Sequence, residues 1–273
     1  MTIPSPPAPV SARAAVAEKR DIIFITLDSL RFDVAQSVLA EGRSPHLSQM
    51  IGPTGWEMRH SPATFTYAAH QSFFAGFLPT PVNAPAAERL FALRFEGSRS
   101  IGASTVVLDG PDIVSGLKAC GYHTICVGGV GFFNKRNPIS QALPALFDDS
   151  TWSPSMGPVD PRSPRNQVAC AVEALAKAQK PVFLFINFSA THHPTRVYVR
   201  GAREDSIETQ AAALAAIDAA LPPLIDALRA RGRCFILTMS DHGDAFGEDG
   251  YHGHRLAHPA VLNVPFAAQD VLL

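Results

Sequence analysis

Four short runs along the chain are apolar at nearly every position: Asp21–Leu27 (DIIFITL), Thr124–Val127, Val182–Phe188 (VFLFINF) and Cys234–Met239 (CFILTM). Runs of this length, rich in β-branched and aromatic residues, predict strands buried on both faces of a sheet. Between them the polar and apolar positions take a helical spacing, over Asp112–Cys120, Asn166–Gln179 and Ser206–Ala230. The last is broken at Pro222–Pro223, since proline lacks the amide and clashes with the preceding turn. Alternation of this kind predicts an α/β fold, a mostly parallel central sheet flanked by helices on both faces, in one compact domain over 21–273. Residues 1–20, rich in Pro, Ala and Ser, read as a disordered N-terminal tail, and the Pro-rich stretches 79–104 and 134–164 as irregular excursions over one sheet edge. The chain ends soon after Val264-Pro265-Phe266, which leaves little room for a second domain.

Charge narrows the partners. A formal net charge of -1 and a pI near 6.8 give no basic field for nucleic acid or an anionic bilayer. No segment is long and apolar enough to span a membrane or act as a secretory signal. Cys120, Cys126, Cys170 and Cys234 are scattered without metal-type spacing, as expected of small apolar side chains in a reducing compartment. The expected location is therefore cytoplasmic and the expected partner a small anionic ester.

In an open parallel sheet ligands gather at the carboxyl ends of the strands. The first run is followed by Asp28, the last by Ser240-Asp241-His242-Gly243-Asp244, and Val182–Phe188 by Ser189-Ala190-Thr191-His192-His193-Pro194. Taken singly, Asp28 reads more readily as a helix N-cap, and Asp241-His242-Gly243 equally well as a turn. Taken together, carboxylates and imidazoles delivered to one rim predict a Zn²⁺ or Mn²⁺ site.

These segments carry a family likeness. FITLDSLRFD resembles the first strand and metal-binding Asp of the sulfatase-like enzymes of the alkaline phosphatase superfamily. SDHGDAFGEDGYHGH is similar to their late Asp-His-Gly signature, LKACGYHTICVGG to a mid-chain helix-to-strand passage, and NVPF to the closing Val-Pro, so the likeness runs from Asp21 to Phe266. It implies an alkaline phosphatase-like fold with a nucleophile in the segment Thr64–Pro79, at Thr66, or at Thr64 or Ser72 should the alignment slip. His70 then stands where a sulfatase has a basic residue. A hydroxyl at a helix N-terminus beside a divalent cation is suited to attack, because amides and metal both stabilise its anion.

Thr66-Tyr67-Ala68-Ala69-His70 lacks the Cys-x-Pro-x-Arg pattern of formylglycine sulfatases, which moves the implied substrate from sulfate to phosphate. The resemblance further implies one strong metal site from Asp28, Thr66, Asp241 and His242, and at most a weak second, since Asp218 has no suitably spaced His after it. His192 matches a His-x-Pro position for substrate or a second metal. On an extended segment only one of His192 and His193 faces the site, and His192 is preferred. Similarly His254 is preferred to His252. Arg31 and Lys135 are candidates for phosphate oxygens, with structural roles equally open, whereas His46, His60, His123 and His258 read as surface or core residues. The implied activity is metal-dependent hydrolysis of phosphate mono- or diesters, or phosphonate esters, through a phosphothreonine. Other readings are a phospho-group transferase or mutase, a formylglycine-independent sulfatase, and a non-catalytic metal-binding scaffold.

Overall fold

A computed structural model describes residues 11–76 and 112–273 of the chain. In chain order the elements are α1 (Ala12–Ala17), β1 (Asp21–Leu27), α2 (Phe32–Ala40), α3 (Pro45–Ile51), β2 (Glu57–His60), α4 (Thr66–Ala75), α5 (Ile113–Ala119) and β3 (His123–Val127). They continue with α6 (Pro138–Ala142), β4 (Asp149–Thr151), α7 (Ser163–Lys177), β5 (Val182–Phe188), α8 (Ile207–Ala220) and α9 (Pro222–Arg231). The chain closes with β6 (Cys234–Met239), β7 (Ala245–Phe246), β8 (His252–Gly253), α10 (Pro259–Leu262) and β9 (Asn263–Val271).

The main sheet has seven strands in the order β2-β9-β6-β1-β5-β3-β4. β6, β1, β5, β3 and β4 run parallel, while β9 lies antiparallel to both β6 and β2. β1 sits in the middle, and every one of its residues is buried. Because side chains alternate across a strand, Ile23, Ile25 and Leu27 join the layer formed with α2, α3, α7, α8 and α9. Ile22 and Phe24 join the opposite layer, formed with α1, α4 and α5. That second layer is aromatic: Phe185 packs edge-on to Phe24 and Phe74, with ring centroids 5.5 and 5.2 Å away. Each ring removed from water contributes on the order of 1.5–3 kcal/mol, which fixes the tilt of α4 against the sheet.

Two local features follow directly from sequence. The helical stretch broken at Pro222–Pro223 becomes α8 and α9, bent by 44° with both prolines in the first turn of α9. No single helix among the described residues is long and apolar enough to cross a membrane; α8 and α9 pass that test only as a bent pair, and their apolar residues lie in the core.

Two expectations change. Residues 11–20 fold onto the body: Ser11 caps α1, Ala15 is fully buried, and the Tyr122 hydroxyl donates to the carbonyls of Ala15 and Arg20. The Ala and Val of this segment supply an apolar stripe that composition alone hid. The stretch 134–164 holds α6 and the edge strand β4. β4 is short, polar and half-exposed, so it carries no apolar run to betray it. Residues 1–10 and the stretch 79–104 lie outside the described residues.

Candidate active site

β1, β5 and β6 end at one level, with Thr26 paired to Asn187 on one side and to Met239 on the other. Asp28 and Asp241 leave those strand ends and are fully buried. Ser29, between Asp28 and the rest of its turn, is held at φ +62°, in the left-handed region that a side chain rarely adopts. That geometry aims its N–H at Asp241 Oδ1 (3.1 Å) and its hydroxyl at Asp28 Oδ1 (3.1 Å). Asn187 Nδ2 donates to Asp28 Oδ2 at 2.9 Å. The N–H of His242 donates to Asp241 Oδ1 at 3.0 Å, and its Nδ1–H donates to the Gly243 carbonyl at 3.0 Å. The imidazole therefore turns its basic Nε2 inward, 3.6 Å from Asp241 Oδ2 and 3.9 Å from Asp28 Oδ1.

Thr66 closes the group from the other side of the chain. It opens α4, whose N-cap residue Phe65 supplies no side-chain cap. Its Oγ1 lies 3.5 Å from Asp28 Oδ2 and 3.3 Å from His242 Nε2, and the residue is only 2% exposed. One oxygen is left over: among the described residues Asp241 Oδ2 has no hydrogen-bond partner. A buried carboxylate oxygen without a partner is costly, and two such acids side by side more so. Burial, then the neighbouring Asp241 charge, pushes the Asp28 carboxyl up; burial raises Asp241 to about 7. Two carboxylates, one imidazole nitrogen and one hydroxyl, with the acid and imidazole atoms within 4.8 Å of one another, match the donor set of a four-coordinate divalent cation such as zinc.

A second tier lies against it. Asp244, 2% exposed, accepts from His193 Nδ1 at 3.1 Å and from His254 Nδ1 at 2.6 Å. Burial opposes ionisation of this carboxyl, but the two imidazole hydrogen bonds outweigh burial and hold it well below the usual carboxylate range. His192 spends its Nδ1 on the His193 carbonyl at 2.6 Å. Each of these rings thus keeps Nε2 uncommitted, the tautomer that a carboxylate or carbonyl behind a histidine selects. Single ligand atoms of His192, His193 and His254 come within 4.8 Å of one another, and the His254 ring lies 4.5 Å from that of His242. Asp244→Asn keeps the size but turns an acceptor into a donor at one histidine. We expect a second equivalent of zinc, titrated calorimetrically, to bind about 10–100-fold more weakly while the first is little changed.

The structure relocates several candidates. Both His192 and His193 reach the site, because residues 190–193 form a turn rather than an extended strand. His254 is part of the cluster, whereas His252 pairs with Phe246 in β8 and is exposed. His70 is fully buried and cannot touch substrate. Its Nδ1–H donates to the Thr66 carbonyl at 2.7 Å, Thr26 Oγ1 lies 3.2 Å from its Nε2, and Phe73, Phe133 and Phe185 surround the ring. Burial drives its pKa down to about 3, so it is a neutral brace behind the helix. Ser72 donates to Ala68 within α4, and Thr64 accepts Arg255 N–H through its carbonyl. Lys135 is tied to Ser150, and Asp218 accepts the N–H groups of His46 and Leu47 at the start of α3.

Arg31 is also structural. Its guanidinium is buried and clamped by Asp33 (2.8 and 2.6 Å) and by Glu248, so its charge is already paired with two carboxylates. Burial works against Glu248 ionisation, but the Arg31 hydrogen bond outweighs it and brings the carboxyl from 4.5 down to about 2. A lowered native pKa means stability present above the unfolded value and lost as pH falls through the folded one. Glu248→Gln should therefore melt below wild type at pH 7, with the gap closing between about pH 4.5 and pH 2.

Asp244 and Asn187 were not singled out from sequence. Both left a trace: Asn187 is a lone amide in an apolar strand, and Asp244 stands two residues beyond the His of the late signature.

The model of the sulfatase family matches residues 20–266. The chain belongs to the sulfatase family. It has the fold of several solved structures. It aligns with the zinc complex of the C-terminal periplasmic domain of EcEptC from Escherichia coli at 14% identity and TM-score 0.62, over 92% of this chain and 73% of that one. The putative sulfatase YidJ from Bacteroides fragilis aligns at 15% identity and TM-score 0.64, over 92% and 68%. The lipoteichoic acid synthase LtaP from Listeria monocytogenes aligns at 12% identity and TM-score 0.59, over 96% and 69%. No curated protein matches by sequence.

This sulfatase-family site opens on a cavity of about 510 Å³ that has Thr66, His192, His193 and His254 on its lining. A larger hollow, about 760 Å³, lies beside β3, β4 and the end of α7 and includes none of these residues. The chemistry and the smaller cavity coincide.

Proposed function

We propose that the chain is a zinc-dependent phosphoester hydrolase that works through a covalent phosphothreonine at Thr66. The observation that carries this reading is the buried set of Asp28, Asp241, His242 and the Thr66 hydroxyl, with Asp241 Oδ2 left without a hydrogen-bond partner among the described residues. Those four residues would hold one divalent cation, and His192, His193 and His254 a second through their uncommitted nitrogens. When bound, such cations supply the positive charge that lowers the hydroxyl pKa and neutralises the transferred group.

The residues divide the remaining work. Asn187, the Ser29 amide and the His242 amide hold the two carboxylates in place. His70 grips the Thr66 carbonyl and so fixes the first turn of α4, where the free amides of an uncapped helix face an anion. Thr66 Oγ gives up its proton to water at the open cavity and attacks phosphorus; its new O–P bond forms as the ester O–P bond breaks, and the leaving oxygen takes a proton back from that water. Water then cleaves the phosphothreonine, returning the hydroxyl and releasing phosphate. Burial lowers the His192 pKa, which suits it to binding a cation as a neutral ring rather than to donating a proton.

A second reading is transfer to an acceptor alcohol in place of water, and likeness to the C-terminal periplasmic domain of phosphoethanolamine transferase EptC from Campylobacter jejuni favours it. Release of p-nitrophenol from aryl phosphate mono- and diesters, with zinc titrated in, tests both readings. We expect zinc-dependent release from a phosphate ester and none from aryl sulfate; added alcohols raise the rate if transfer dominates. Turnover of aryl sulfate alone would contradict the phosphoester reading.

A further inference from the structure

The open side of the cavity carries a device that the chemistry at Thr66 does not use. Arg255 follows His254 directly and is held at φ +71°, a left-handed conformation that a residue with a long side chain keeps only when its surroundings impose it. The imposing contacts are visible. Its N–H donates to the Thr64 carbonyl at 2.8 Å, and its guanidinium lies over the Phe65 ring, 5.5 Å from the centroid. The arginine is thus pinned to the segment immediately before the nucleophile, yet remains exposed on the cavity lining. Among the described residues no carboxylate pairs with it. A merely solvated arginine needs neither the strained backbone nor the aromatic rest.

The facing wall fits the same purpose. Asn134 and Asn137 spend their side-chain oxygens on the backbone amides of Arg136 and Ser140, at 2.9 and 3.0 Å. That fixes each amide so that its NH₂ is the uncommitted end, on the lining of the same cavity. Phe132 and Ile139 supply apolar wall beside them. Two amide donors and one guanidinium, separated by apolar surface, select an oxygen-rich anion at the end of an apolar spacer.

We propose that Arg255, with Asn134 and Asn137, recognises a second anionic group, a carboxylate or phosphate, carried by the organic part of the phosphoester. This rests on the phosphoester reading above and names its substrate class: an ester with a remote acid. Arg255 acts here on specificity and takes no part in bond breaking.

The test uses zinc-loaded full-length chain and calorimetric binding of two ligand series of increasing length, alkylphosphonates and the matching ω-carboxyalkylphosphonates. A charge-assisted hydrogen bond predicts that, at one matching length, the carboxylate binds wild type about tenfold tighter than its alkyl control. Arg255→Gln keeps much of the stem over Phe65 and should cut that preference to about twofold or less, with alkylphosphonate affinity unchanged; Arg255→Lys should retain part of it. Equal binding of the two series at every length overturns the assignment and leaves the phosphoester reading standing. Equal weakening of both series in Arg255→Gln also overturns it, because Arg255 would then be holding the reacting phosphoryl group. Failure of either series to bind wild type overturns both readings.

Discussion

Thr66→Ala lowers hydrolysis of an aryl phosphate by at least about 10³-fold, while Thr66→Ser keeps a measurable part of it. The expectation rests on what the hydroxyl does and does not contribute. Its contacts to Asp28 and His242 are 3.5 and 3.3 Å, long for hydrogen bonds, so their loss costs the fold about 1 kcal/mol or less. The Thr66 carbonyl, which His70 grips, is untouched by the change. The variant should therefore show wild-type circular dichroism and nearly unchanged melting, with turnover alone removed. Retained near-wild-type activity would show that another group attacks phosphorus. Quenching the wild-type reaction in acid and mapping the phosphorylated peptide by mass spectrometry gives an independent check on the same residue.

Asp241→Asn weakens zinc binding by more than about 10²-fold and flattens the pH dependence of the metal-free protein's stability. Burial holds the native Asp241 carboxyl near 7, above its ordinary 3.8. A raised native pKa means that stability is fully present below about pH 4 and lost as pH rises towards about 7. The metal-free wild type should lose melting temperature across that window, since an acid must ionise beside Asp28 with no cation to offset it. In Asp241→Asn the loss should flatten, because the ionising group has gone while the amide oxygen can still accept from Ser29 and His242. Excess zinc should raise the wild-type melting temperature more than that of the variant, which keeps only the histidine cluster. Melting scans of the two proteins with chelator or zinc, from pH 4 to pH 8, read all of this.

The elements legible in sequence are those whose pattern is local. β1, β5 and β6 are continuous apolar runs because a parallel strand in the centre of a sheet is buried on both faces, and the polar residue ending each run marks the ligand rim. Asp28, Asp241 and His242 were readable for that reason. β4 was not, because Asp149-Ser150-Thr151 is a three-residue edge strand with polar side chains. β9 was not, because Pro265, Gln269 and Asp270 interrupt its apolar pattern at an antiparallel position nearer the sheet edge.

The roles of Arg31 and His70 were unreadable for a different reason. Their partners come from far along the chain: Glu248 closes on Arg31 from 217 residues away, and Phe133 and Phe185 enclose His70. Only the fold reveals that a cation and an imidazole set near a metal signature are brace and clamp. Asp244 belongs to the same class, since its two histidines arrive from the β5 turn and the β8 loop.

The most direct test of the account is a crystal of the zinc-soaked protein measured on both sides of the zinc absorption edge. An anomalous peak is expected at coordination distance, about 2.0–2.2 Å, from one oxygen each of Asp28, Asp241 and Thr66 and from His242 Nε2. A peak held by the histidines alone, with the Thr66 oxygen outside its coordination shell, would contradict it.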